Sequence, residues 1–239
     1  MLRQLLLYLF FLCAGANLCA QRCEPTALFV TTSGEELTDA STAQNAPLVA
    51  HFKSNPKDAE YYSARFEWKI FRTDDASETP IVHRFDQDLD YTFDKSGSFL
   101  VKMSALFVEG NDTVAWPETP ADEVTFEVLI SESKLEMPNA FSPNGDGYND
   151  VYNAKPGFQS IVSFKASIFN RWGQHIYSWT NPDRTQAGWD GTWHGRKVGD
   201  GAYFVVVTAK GADGTDYKIR KDVNVLTGYD RSVKEGTKE

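Results

Sequence analysis

Short runs of β-branched and aromatic residues, each cut off by Gly, Asn, Asp or Pro, recur along this chain, and no stretch holds a helical period. A chain so patterned can bury apolar surface only by stacking strands, so its architecture is predicted to be all-β. Strands are expected over 27–32, 47–53, 64–72, 81–85, 91–93, 98–108 and 124–130, and then over 137–141, 161–170, 174–179, 202–209 and 217–226. Phe66, Trp68 and Ile70 alternate with charged neighbours, which puts Trp68 on a buried face as a core anchor. Seven short strands before position 131 suit an immunoglobulin-like sandwich. In the later part, Arg171-Trp172-Gly173 and Gly211-Ala212-Asp213-Gly214 read as hairpin turns. The run from Tyr203 to Val207 reads as a strand buried on both faces.

The polar stretch Ser131-Glu132-Ser133-Lys134-Leu135-Glu136 shows no structure of its own and marks the boundary between two modules. Their charges differ. Positions 21–136 hold 22 acidic against 10 basic residues, whereas 137–228 hold 8 against 10 and no glutamate. The acidic first module argues against nucleic acid or an anionic membrane surface as its partner, since both would repel it. Met1-Leu2-Arg3, an apolar run over 5–16 and a cleavage position after Ala20 read as a secretory signal peptide, and no later stretch has the length of a membrane-spanning helix. Cys13 and Cys19 leave with that signal, so Cys23 is expected as a lone, passive thiol near a flexible end. The predicted organisation is a signal peptide at 1–20, a sandwich at 21–132, a second sandwich at 133–228 and a polar tail at 229–239.

Chemistry concentrates in one loop, Ser142-Pro143-Asn144-Gly145-Asp146-Gly147-Tyr148-Asn149-Asp150. Asn144, Asp146, Asn149 and Asp150 offer the carboxylate and amide oxygens that calcium prefers, and Gly145 and Gly147 allow backbone angles that let oxygens converge. Asp190, in Gly188-Trp189-Asp190-Gly191-Thr192, is a further candidate ligand from a neighbouring turn. A structural calcium ion is the one cofactor expected; a plain polar turn would use the same Asn-Gly and Asp-Gly signals. No nucleophile elbow, paired-histidine metal motif or phosphate loop occurs, so no catalytic residue is assigned and the chain is expected not to be an enzyme. His51, His83, His175 and His194 lack metal-ligand spacing and are expected at the surface. Trp172, Trp179, Trp189 and Trp193 crowd the second module, with Trp172 and Trp189 expected to pack rather than to meet a ligand.

Four blocks carry a resemblance: Pro138 through Asp150, then Ile168-Phe169-Asn170-Arg171-Trp172-Gly173-Gln174, then Gly188-Trp189-Asp190-Gly191-Thr192, then Asp200-Gly201-Ala202-Tyr203-Phe204-Val205. In that order they resemble the gliding-motility-associated C-terminal domain of Bacteroidetes, the type B targeting domain of the type IX secretion system. Tyr91-Thr92-Phe93, Gly97 and Phe99-Leu100-Val101-Lys102-Met103 resemble the closing strands of a PKD domain, although Phe71-Arg72-Thr73-Asp74-Asp75 replaces the acidic glycine turn usual there. Asp112-Thr113-Val114 is similar to the Bacteroidetes O-glycosylation motif.

The resemblance implies export to the cell surface, to the outer membrane or into the medium. Its implied partners are the type IX secretion machinery and a PorP/SprF-like outer-membrane protein. Because the targeting module is nearly half of the chain that remains after the signal, the expected role is a small component or accessory of the secretion or gliding apparatus. An adhesin or carbohydrate-binding module travelling as ordinary cargo is the alternative.

Overall fold

The computed structural model describes residues 21–74 and 79–228; the predicted signal peptide and polar tail lie outside the described residues. The first unit holds β1 (Arg22–Cys23), β2 (Thr26–Val30), β3 (Glu36–Leu37), β4 (Ala40–Gln44), β5 (Leu48–Lys53) and β6 (Pro56–Lys57). It continues with β7 (Ser63–Arg72), β8 (Val82–Arg84), β9 (Leu89–Phe93), β10 (Gly97–Glu109), β11 (Asp112–Trp116) and β12 (Thr125–Ile130). The second unit holds β13 (Ala140–Phe141), β14 (Ile161–Phe169), β15 (His175–Trp179), β16 (Thr192–Trp193), β17 (Arg196–Lys197), β18 (Gly201–Gly211) and β19 (Asp216–Val225). Apart from a short 3-10 turn at Pro120–Asp122, the regular structure is all strand, as the turn-punctuated pattern predicts.

In the first unit a sheet ordered β4-β12-β10-β7-β8, extended by β11 on β10, faces a sheet ordered β3-β2-β5-β9. Alternation does the work here. Every second residue of β7 and β10 points inward, so Phe66, Trp68 and Ile70 join Val101, Met103 and Phe107 in a buried layer. Phe52 of the other sheet meets Trp68 at 5.7 Å between ring centroids, and Phe93 meets Phe99 at 5.1 Å. Trp68 is fully buried, and its indole N–H donates to the Gln87 carbonyl at 3.2 Å. Cys23 departs from the expectation of a flexible end. It lies in β1, paired with β6, and is buried in this core.

The second unit is built on one sheet, ordered β13-β19-β18-β14-β15. Its inner face carries Phe164, Ala166, Ile168, Val205, Val207, Val223 and Val225, all buried. The layer above them is mostly irregular chain, residues 142–160 and 180–200, in which β16 and β17 form a small hairpin. Tyr152 and Trp189 pin this layer: their backbones exchange hydrogen bonds of 2.8 and 3.0 Å, and both side chains are fully buried. The outer face is uncovered. Phe204 is 46% exposed and Val206 only half-buried, which corrects the reading of this strand as buried on both sides: the apolar run continues although no second layer of the described residues lies against it.

Residues 131–136 hold the units together rather than linking them loosely. The Ser131 amide and hydroxyl both donate to the Gln44 carbonyl, while the Ser133 amide and hydroxyl donate to the Asp213 carboxylate. Across the joint, the Ala46 amide donates to Ser160 Oγ at 3.1 Å and the Ser96 amide to the Ala212 carbonyl at 3.1 Å. Ala212, on the β18–β19 turn, is buried against the core of the first unit. The turn predicted from Gly211-Ala212-Asp213-Gly214 therefore also serves as a foot planted on the neighbouring sandwich. Burial pushes the Asp213 carboxyl up, but hydrogen bonds from Thr215 and Ser133 outweigh it and hold it at about 2.

Candidate functional site

The loop after β13 brings four of the five predicted metal ligands into one turn system. Gly145 and Gly147 take φ of 86° and 83°, values in the left-handed region that favours glycine, and Asn149 takes 53°. With the chain so folded back, the Gly145 and Gly147 amides donate to the two oxygens of Asp150 at 2.6 and 2.7 Å. Asn144 Oδ1 accepts from the Asp146 amide at 3.0 Å, and Asp146 Oδ1 from the Tyr148 amide at 2.8 Å. Asn149 contributes its carbonyl, which accepts from the Ser142 amide at 2.9 Å.

Asp190 sits on the adjoining turn. Gly191 lies so close to Pro143 that a side chain there would reach within 2.7 Å of the proline ring, yet Asp190 Oδ1 is taken by the amide and hydroxyl of Thr192. The donor set fits a hard cation in kind, because a carboxylate with one amide on each oxygen keeps further lone pairs. No group of three or more His, Cys, Asp or Glu side chains suited to a metal occurs among the described residues, so amide or backbone oxygens would complete the set.

Beneath this loop lies a residue that sequence reasoning did not single out. Asn153 is fully buried, and all its polar atoms are bonded. Its Nδ2 donates to the carbonyls of Asn181 and Ala187 at 2.9 and 2.8 Å, while Oδ1 accepts from the Ala154 amide and the Trp179 indole, both at 2.8 Å. Asn153 thus ties the 142–160 segment to the 180–190 segment and to the sheet. Nothing in a lone Asn after an aromatic residue signals this role.

The four tryptophans divide. Trp179 and Trp189 are core, as expected of Trp189, whereas Trp172 is 72% exposed at the tip of the β14–β15 turn. It had been expected to pack. Its turn projects past the end of the sheet, with the Arg171 guanidinium 4.5 Å from the ring centre. Beside it opens a cleft of about 530 Å³, walled by Trp172, Trp193 and Tyr203 and edged by His194, Arg196 and Lys197. Lys197 Nζ donates to the Pro143 carbonyl at 3.0 Å, which couples the cleft to the start of the oxygen-rich loop. Burial raises the Tyr203 hydroxyl pKa, and Tyr203 Oη donates to the Gly199 carbonyl at 3.1 Å. Among the described residues, the one acid lining the neighbouring hollow is Asp200, whose carboxyl is held below its usual range by hydrogen bonds from Thr227. The sequence signal for the cleft was present in Thr192-Trp193-His194-Gly195-Arg196-Lys197, an aromatic next to cations, but its partners at 172 and 203 come from distant strands.

The remaining histidines lie at the surface, half-exposed or exposed, as expected. His51 Nδ1 lies 2.7 Å from Asp90 Oδ1, His83 Nε2 lies 2.7 Å from Glu67 Oε1, and His175 Nε2 lies 2.7 Å from Ser178 Oγ. Cys23 offers no reactive thiol, since burial pushes it up to about 12.

With this geometry in hand, comparison with known proteins finds a family match within the second unit. Residues 135–221, most of the second unit, match the CHU_C type IX secretion signal domain. No curated protein sequence matches the chain. Among solved structures, the chain is similar to the tetra-tandem repeat in the extending region of a large adhesion protein. The identity is 10%, the match covers 87% of this chain and 68% of that one, and the TM-score is 0.27. Among the described residues no helix is long and apolar enough to cross a membrane.

Proposed function

We propose that this chain is an exported, non-catalytic surface protein, carried to the cell surface by the type IX system after a signal peptide has taken it across the inner membrane. Its second unit directs that export and docks to an outer-membrane partner of the PorP/SprF-like kind, and the protein acts as a small component or accessory of the secretion or gliding apparatus. The observation that carries the reading is the match of residues 135–221 to a type IX secretion signal domain. Two features support the docking part: an exposed aromatic and basic cleft in that unit, and a joint that fixes the first sandwich against it through Ser133, Ser160 and Ala212. The same reading includes a structural calcium ion held by oxygens of Asn144, Asp146 and Asp150, reinforcing a loop that its own amides already close.

The test is deletion of residues 137–228 in the native host. Loss of the protein from the surface and the medium, with retention inside the outer membrane, is the expected result. Deletion of the whole gene, leaving secretion, motility and surface assembly intact, would remove the accessory role and leave ordinary cargo. An adhesin is the second reading, favoured by exposed Tyr61 and Phe85 on the first sandwich, and a glycan array with the mature protein decides between them.

A further inference from the structure

The sheet of the second unit has two ends with different neighbours. At one end Ile161 pairs with Gly211, and the adjacent Ala212 is buried against the first sandwich. At the other end Phe169 pairs with Phe204, and just past it stand the Trp172 turn, Tyr203 and the β16–β17 hairpin. Among the described residues, the cleft therefore lies at the pole opposite the joint, with nothing packed over it.

Its composition is that of an interface anchor. Trp, Tyr and Arg dominate the few residues that carry binding energy in protein contacts, because they bring large rigid area together with directed hydrogen bonds. Here Trp172, Trp193 and Tyr203 wall one hollow of about 530 Å³ with Arg196 on its edge, and Arg171 lies on the Trp172 ring. The charges are unmatched. Neither Arg171 nor Arg196 has an ion pair among the described residues, Lys197 binds only a carbonyl, and Asp200 is turned to Thr227. Some cations elsewhere are paired, such as Lys53 with Asp88 and Lys155 with Glu136, but Lys165, Lys210, Lys218 and Arg220 likewise have no ion pair among the described residues, so the aromatic walls beside the cations are what set this cleft apart. A hollow with aromatic walls and donors on its rim is complementary to a segment bearing carboxylates beside an apolar side chain.

We infer that this cleft is where the secretion signal domain is gripped, and that its occupant is an acidic segment of the export partner, inserting an apolar side chain between Trp172 and Trp193 while its carboxylates meet Arg196 and Arg171. The inference rests on the targeting role of the second unit and names the surface and the chemistry through which that role is exercised.

The test uses the full chain in its native host. A photo-crosslinking amino acid at position 194 is compared in the otherwise natural protein and in Trp172→Ala and Arg196→Glu backgrounds, with Arg196→Gln as the milder variant if the reversal unfolds. Adducts are identified by mass spectrometry, export is measured in parallel, and thermal melting shows that each variant folds. The inference predicts an adduct with an outer-membrane protein through an acidic segment, weakened about tenfold by either substitution, with export falling alongside. If the folded Trp172→Ala and Arg196→Glu variants are both exported at the natural level while deletion of 137–228 blocks export, the cleft is not the grip although the targeting role stands. If deletion of 137–228 leaves export unchanged, the targeting role itself fails. Adducts confined to a second copy of the chain, or binding of an acidic glycan that Trp172→Ala abolishes with export untouched, would overturn the assignment of a protein occupant.

Discussion

Replacing Asn153 by Ala removes a side chain that touches four backbone or indole groups and leaves each without that partner, the Ala154 amide and Trp179 indole in buried surroundings and the two carbonyls in partly buried ones. The Trp179 indole N–H, the Ala154 amide and the carbonyls of Asn181 and Ala187 all lose bonds of 2.8–2.9 Å. An orphaned buried polar group costs about 1–3 kcal/mol, and water entering the vacated space recovers part of that, so the expected loss is about 3–5 kcal/mol rather than the full sum. Against the roughly 5–15 kcal/mol that a domain commands, this would bring the second unit close to unfolding at physiological temperature. Asn153→Asp makes the argument sharper. It keeps the shape and both acceptor contacts but points a carboxylate oxygen at two carbonyls, so at neutral pH it should destabilise at least as much, and less once acid protonates it. The assay is urea unfolding followed by the indole N–H resonances of the six tryptophans, since Trp172, Trp179, Trp189 and Trp193 report the second unit and Trp68 and Trp116 the first. A cost below about 1 kcal/mol for Asn153→Ala would refute the reasoning, because it would mean that the four groups find other partners without strain.

Three further outcomes are expected. Cys23, buried and with its thiol pushed up to about 12, should resist iodoacetamide in the native protein at neutral pH and react once urea unfolds the first unit; rapid native labelling would contradict its burial. The Asp213 carboxyl is held at about 2, below its ordinary 3.8, so the stability it lends the joint is complete above 3.8 and is lost as pH falls through about 2. Small-angle scattering should accordingly show the two units separating in strong acid, and Asp213→Asn separating them at higher pH than the natural protein; identical acid profiles would remove Asp213 from the joint. Calcium should raise the melting temperature of the second unit, and the rise should vanish in the Asp146→Ala and Asp150→Ala variants; a rise that survives both places the ion elsewhere.

What could be read from the chain and what could not divide along physical lines. Strands such as β7 and β10 were legible because Phe66-Trp68-Ile70 and Phe99-Val101-Met103 alternate strictly between a buried and an open face. Two strands were missed because their apolar signal is short: β4 reads Ala-Ser-Thr-Ala-Gln with only Ala40 buried, and β11 reads Asp-Thr-Val-Ala-Trp, where only Val114 and Trp116 reach the core. The irregular layer over the second sheet was invisible for the same reason, since Tyr152 and Trp189 meet across long sequence separation with no period to announce it. The oxygen-rich loop was legible because glycine at 145 and 147 and side-chain oxygens at 144, 146 and 150 are local facts. Asp190, which residue type alone suggested as a further ligand, closes its own turn on Thr192, a competition that residue type does not reveal. Trp172 shows the limit of residue type as a guide: two tryptophans in similar glycine-flanked blocks, 172 and 189, end at opposite extremes of exposure because one sits at a hairpin tip and the other under a bridge.

The most direct test of the central claim fuses residues 131–228 behind a signal peptide and a fluorescent protein, and follows the fusion in the native host with and without a working type IX system. The reporter should reach the surface or the medium only where the system works and should stay in the periplasm where it does not. Export that is the same in both strains, or periplasmic retention in both, would contradict the assignment of the second unit as the element that directs secretion.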